Sequence, residues 1–166
     1  MTIAALGTIA TRVAVAAISL LVAAVAARML GLEALGRMSL LVLAITFIML
    51  LCNVVSGGLV YLEPRHGTRT LRWLAYGWSA LACTAGALLV EPLGVAPAGL
   101  GVHAGAIAFL ESVATTHLSI LLGRQRFAMH NSITLIRPAL LITAFVLLLR
   151  TEGADVHDFI GALYIS

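Results

Sequence analysis

Long apolar runs separated by short polar stretches set the pattern of this chain. Residues 8–27 form the first run, broken by Arg12 one turn inside its start, and residues 38–62 follow without a single charge. A third run, 73–90, opens on Trp73, Tyr76 and Trp78, rings that suit a membrane–water interface where one edge stays wet. The fourth, 100–122, contains Glu111, and the fifth, 132–149, carries the pair Arg137–Pro138 near its beginning. Crossing a bilayer takes about 20 apolar residues, since the hydrocarbon core is ~30 Å thick and a helix rises ~1.5 Å per residue. The pattern therefore predicts an all-α integral membrane protein with about five transmembrane helices. A sixth begins at residue 159 and has only eight residues before the chain stops, so the sequence reads as truncated or as a fragment.

The connectors are short. "RMLGLEALGRM" (28–38) reads as a turn between the first two spans, "EPLGVAPAG" (91–99) is a proline- and glycine-rich breaker, and "GRQRFAMHN" (123–131) and "RTEGADVHD" (150–158) are polar turns. The whole of 1–166 reads as one transmembrane helical bundle, with no repeat and no soluble domain.

Composition strengthens this reading. Of 166 residues, 61% are hydrophobic and 10% charged, against ~25% charged in an ordinary soluble domain. Every cation is arginine, with no lysine, and the net charge of +3 is too dispersed for nucleic acid. Counting arginines on alternate sides places Arg12, Arg65, Arg69, Arg72, Arg124, Arg126 and Arg137 on one face and Arg28, Arg37 and Arg150 on the other. The richer face is expected to be cytoplasmic, with the N-terminus inside. Cys52 and Cys83 lie in apolar runs without CxxC spacing and read as buried thiols, neither disulfide framework nor metal site.

Few side chains carry candidate chemistry. Thr8, Arg12 and Ser19 recur at helical spacing, so Arg12 either faces a water-filled cavity, where it would hold phosphate, or snorkels to the interface. Glu111 is the sole acid within a predicted span and lies on an i, i+4 ladder with His103, Thr115 and Ser119, beside Ser112 and Thr116. A coupling proton or sodium and a structural ion pair with Arg12 or Arg137 are both open to it. His117 reads as a packing residue, Asn53 as a structural hydrogen bond between helices, and Gly57–Gly58 as a packing site or bend. Gly101 and Gly105 form a GxxxG, a weak helix-packing signal. No nucleophile, phosphate-loop or metalloprotease motif is present, so neither catalysis, cofactor nor metal is expected.

The stretch "ARMLGLEALGRMSLLVLAITFIML" resembles the segment joining the first two helices of bacterial polysaccharide flippases. These belong to the multidrug/oligosaccharidyl-lipid/polysaccharide exporter superfamily. Ala27, Arg28, Leu30, Gly31, Glu33 and Gly36 match the pattern, whereas Leu32 stands at the usual proline and Leu35 at the usual aromatic. "NVVSGGLVYLEPRHG" is similar to the family's small-residue break and basic turn, with Glu63–Pro64 a departure. "LLGRQRFAMHNSITLIRPALL" is similar to its fourth loop and fifth helix. The resemblance implies the N-terminal six-helix bundle of a two-bundle transporter in the bacterial cytoplasmic (inner) membrane. It implies flipping of a lipid-linked oligosaccharide, typically on polyprenyl pyrophosphate, by alternating access. Arg12, Arg137 and Arg28 would then be cavity cations, with Arg28 better suited to anchoring, and Glu111 would tune that field or bind the coupling ion. A drug or cation antiporter of the same superfamily, or a small non-transporting membrane subunit, are the competing readings.

Overall fold

The computed structural model describes residues 3–66, 69–149 and 156–166, and every regular element among them is helical. In chain order these are α1 (Ile3–Met29), α2 (Gly31–Ser56), α3 (Leu59–His66), α4 (Arg69–Leu89), α5 (Gly101–Gly123), α6 (Phe127–Leu148) and α7 (Val156–Ile165). Among the described residues, four segments are long and apolar enough to cross a membrane: Leu6–Met29, Gly31–Leu62, Gly101–Gly123 and Phe127–Leu148. Large apolar side chains such as Leu20, Val54, Leu81 and Leu110 stand exposed along these helices and along α4. Apolar surface on this scale is stable against lipid and not against water.

The expected third span is the one that falls short. Its helix runs from Arg69 to Leu89, so any stretch of it long enough to cross must include Arg72, and Trp73, Tyr76, Gly77 and Ser79 dilute the remainder. The opening turn also differs from expectation. α1 ends at Met29, one residue intervenes, and α2 starts at Gly31, whose φ of +84° is open to glycine without strain. Glu33, expected in the turn, and Arg37, expected where the second span meets the interface, both sit in the first turns of α2 and form an exposed i, i+4 ion pair at 2.8 Å. The acid at a helix start suits the macrodipole as well. The "RTEGADVHD" turn falls largely outside the described residues, as do Arg150 and the side chain of Arg65.

The chain forms two compact units, Met1–Met38 with Phe127–Ser166, and Ser39–Arg126. In the first, α6 packs against both α1 and α7. Asn131 near the start of α6 meets Thr8 near the start of α1, so the two helices run parallel. At the same offset along them, Val22 and Ala26 of α1 fall level with Phe145 and Leu149, and all four are buried. Phe145 continues the core into α7 through an edge-to-face contact with Phe159, centroids 5.4 Å apart. Pro138 sits inside α6, which leaves the carbonyl of Thr134 without its helical donor.

In the second unit α5 packs against α3 and α4. Gly101 and Gly105 bring α5 close to α4: an added Cβ would lie 2.7 Å from the Ala87 carbonyl oxygen at Gly101, and 2.6 Å from Ala87 Cβ at Gly105. The GxxxG is thus the tightest seam of this hairpin. Glu91 closes the connector by accepting a hydrogen bond from the Gly101 N–H at 2.5 Å, satisfying a backbone donor at the start of α5. The uncharged run 38–62 is not one helix. It breaks at Gly57–Gly58, where turn hydrogen bonds run back to Asn53 and Val55, and resumes as α3.

Candidate functional site

Among the described residues no group of three histidine, cysteine, aspartate or glutamate side chains could hold a metal. Polar chemistry gathers at two places, one in each unit. In the first unit it lies where α1 and α6 begin. Asn131 donates from Nδ2 to the Thr8 hydroxyl at 3.4 Å, and His130 Nδ1 donates to Asn131 Oδ1 at 3.3 Å. Since the amide oxygen only accepts, the proton of a neutral His130 is on Nδ1. Arg12 is exposed one turn beyond Thr8 on the same side of α1, so cation and amide share one end of the α1–α6 pair.

Arg137 does not join them on that face. It is half-buried on α6, and at ~100° per residue it is rotated roughly 100° from the line of Asn131 and Phe145 that meets α1. Arg28 is exposed in the last turn of α1, where a cation complements the helix dipole. That position suits anchoring. The three expected cavity cations therefore do not form one cluster through helical phase alone.

In the second unit the buried polar face of α5 combines Ser119 of the expected ladder with the adjacent Ser112 and Thr116. Ser112, Thr116 and Ser119 are buried, while Glu111 and Thr115 are only half-buried. The reason is the packing of α4, whose Ser79 meets Ser112 hydroxyl to hydroxyl at 2.6 Å with both residues fully enclosed. Thr116, one turn further, has a buried hydroxyl without a hydrogen-bond partner. His117 donates from Nδ1 to the Val113 carbonyl at 2.8 Å, which leaves Nε2 to accept from the Tyr76 hydroxyl at 3.4 Å. The two rings lie stacked, centroids 6.1 Å apart, so His117 is a packing residue that also seats Tyr76.

Asn53 corrects another expectation. It is exposed, and its Oδ1 accepts from Ser56 at 3.1 Å within α2 instead of bridging helices. Sequence reasoning also missed the bridges between α2 and α4. Trp78 Nε1 donates to the Leu51 carbonyl at 2.8 Å, and the Cys52 and Cys83 sulfurs touch at 3.5 Å as free thiols. Two cysteines 31 positions apart carry no local signal that they meet. An apolar groove of about 500 Å³ runs along α4 and α5 between Ala80, Thr84, Val102 and Phe109, with no acid or base in its wall.

No protein-family model, curated protein or solved structure matches this chain.

Proposed function

We propose that this chain is the N-terminal part of a bacterial inner-membrane transporter that flips lipid-linked oligosaccharide or polysaccharide precursors by alternating access. The observation that carries the reading is the stretch from Ala27 to Met38, with its Arg28, Gly31, Glu33 and Gly36 in the order seen where the first two helices of polysaccharide flippases join. The four apolar segments supply the membrane setting such a transporter needs. The Thr8–Asn131–His130 cluster with Arg12 beside it supplies polar and cationic groups on otherwise apolar helices.

In this reading the N-terminus is cytoplasmic and Arg12 attracts the pyrophosphate of the polyprenyl carrier through charge-assisted hydrogen bonds. Arg137 adds to the field and Arg28 anchors the outer end of α1. Glu111 binds the coupling proton or sodium, or tunes the field of the arginines. The test is export of the lipid-linked sugar by the full-length protein carrying Arg12→Ala or Glu111→Gln. Export is expected to fall in both variants at unchanged protein levels. Normal export in both removes the assigned roles.

A further inference from the structure

We propose that the open end of the α4–α5 hairpin binds the phosphate of an anionic phospholipid headgroup through Arg69, Arg72, Arg124 and Arg126. The inference needs only that the chain lies in a membrane and is independent of what it transports. It starts from register. Gly105 meets Ala87, Ser112 meets Ser79, and His117 meets Tyr76, so α4 and α5 run antiparallel and the start of α4 lies beside the end of α5. Packed helices stand ~8–10 Å apart. Arg69 and Arg72 in the first turn of α4 therefore lie at the same end of the hairpin as Arg124, the C-cap of α5, and Arg126 just beyond it.

Three observations point to an anion at this end. First, α4 begins with two arginines and no acid in its first turn. The macrodipole is positive there and disfavours added cations, a conflict that a bound anion reverses. Second, the Nε of Arg72 is buried with no hydrogen-bond partner, an N–H donor left facing no acceptor. Third, Trp73 stands 67% exposed beside it and packs edge-to-face on Tyr76 at 6.0 Å. An amphipathic ring so placed marks the headgroup level. Glu63 stands near the end of α3, six positions before Arg69; of the acids of this unit whose side chains are described, Glu91 lies at the opposite end of the hairpin and Glu111 lies three turns before the end of α5. Arginine forks match phosphate oxygens in pairs, which an ammonium does not. The aromatic neighbour favours a phosphate carried by a lipid over a free one.

Trp73 is also the reporter. Full chain carrying Trp78→Phe is reconstituted in phosphatidylcholine, and brominated phosphatidylglycerol or brominated phosphatidylcholine is titrated in as quencher. Anionic attraction is worth about a fivefold preference per arginine near the surface. Brominated phosphatidylglycerol is thus expected to quench at a mole fraction about fivefold or more below that of brominated phosphatidylcholine. Arg69→Gln with Arg72→Gln should remove most of the preference. Arg124→Gln with Arg126→Gln, two exposed positions at the end of α5, should also reduce the preference. Equal quenching by the two lipids overturns the proposal, as does an undiminished preference in both double variants. Millimolar inorganic phosphate should leave the preference in place; its loss would make the ligand free phosphate and overturn the lipid assignment.

Discussion

The buried hydroxyls of Ser79 and Ser112 show how much one pair decides. At 2.6 Å one hydroxyl donates to the other in an apolar seam, and both residues are shielded from solvent. Hydrogen bonds between membrane helices average ~0.6 kcal/mol and reach ~1.7. Ser112→Ala alone is expected to cost about that much in thermal unfolding, and Ser79→Ala on that background almost nothing more. A coupling of zero in the double-mutant cycle would show that the pair is incidental. Gly105 makes the complementary point through space. A methyl there lies 2.6 Å from Ala87 Cβ, so Gly105→Ala should lower stability by about 1–3 kcal/mol. Ala87→Gly should recover part of that loss by vacating the same volume. Arg12 and Glu111 were legible as residue types out of place in apolar runs. Their surroundings were not, because an i, i+4 ladder fixes a side of a helix only to within a residue. Packing by Ser79 chose Ser112 and Thr116 over Glu111.

At the scale of elements, apolar runs bounded by polar stretches were enough to find nearly every helix of the chain. What they could not show is where one ends and the next begins. The expected loop 28–38 is almost wholly helical because Gly31 turns the backbone in a single step, and the run 38–62 hides a break at Gly57–Gly58 that hydropathy does not register. The meeting of α2 with α4 was invisible for a different reason: it joins positions far apart in the chain. That meeting is directly testable. The sulfurs of Cys52 and Cys83 touch at 3.5 Å, and one turn along α2 and α4 a Cβ on Gly86 would lie 2.6 Å from Ile48. Backbones this close fit the reach of a disulfide. Oxidation with copper phenanthroline should yield one peptide pair linked through Cys52 and Cys83, absent in Cys83→Ser. Failure to cross-link under conditions that oxidise exposed thiols would place the two helices further apart.

On the scale of the whole molecule, the surface is the informative feature. Four apolar segments long enough to span a bilayer carry exposed leucines, valines and phenylalanines along their length. The protein is expected to remain in the membrane fraction through an alkaline carbonate wash and to need detergent for release; extraction by the wash alone would contradict a membrane-spanning chain. The latch between Glu91 and Gly101 bears on how such a chain is built. α4 is the helix that falls short of crossing on its own, yet α5 meets two of its polar positions, Ser79 through Ser112 and Tyr76 through His117, with the connector buckled by the glutamate. During synthesis α4 should therefore wait at the insertion machinery until α5 emerges, and the two should enter lipid together as a hairpin. Glycosylation-site mapping would find α4 spanning when α5 follows it and slipping back when the chain is cut after Gly99. The glutamate then serves assembly before it serves the finished fold.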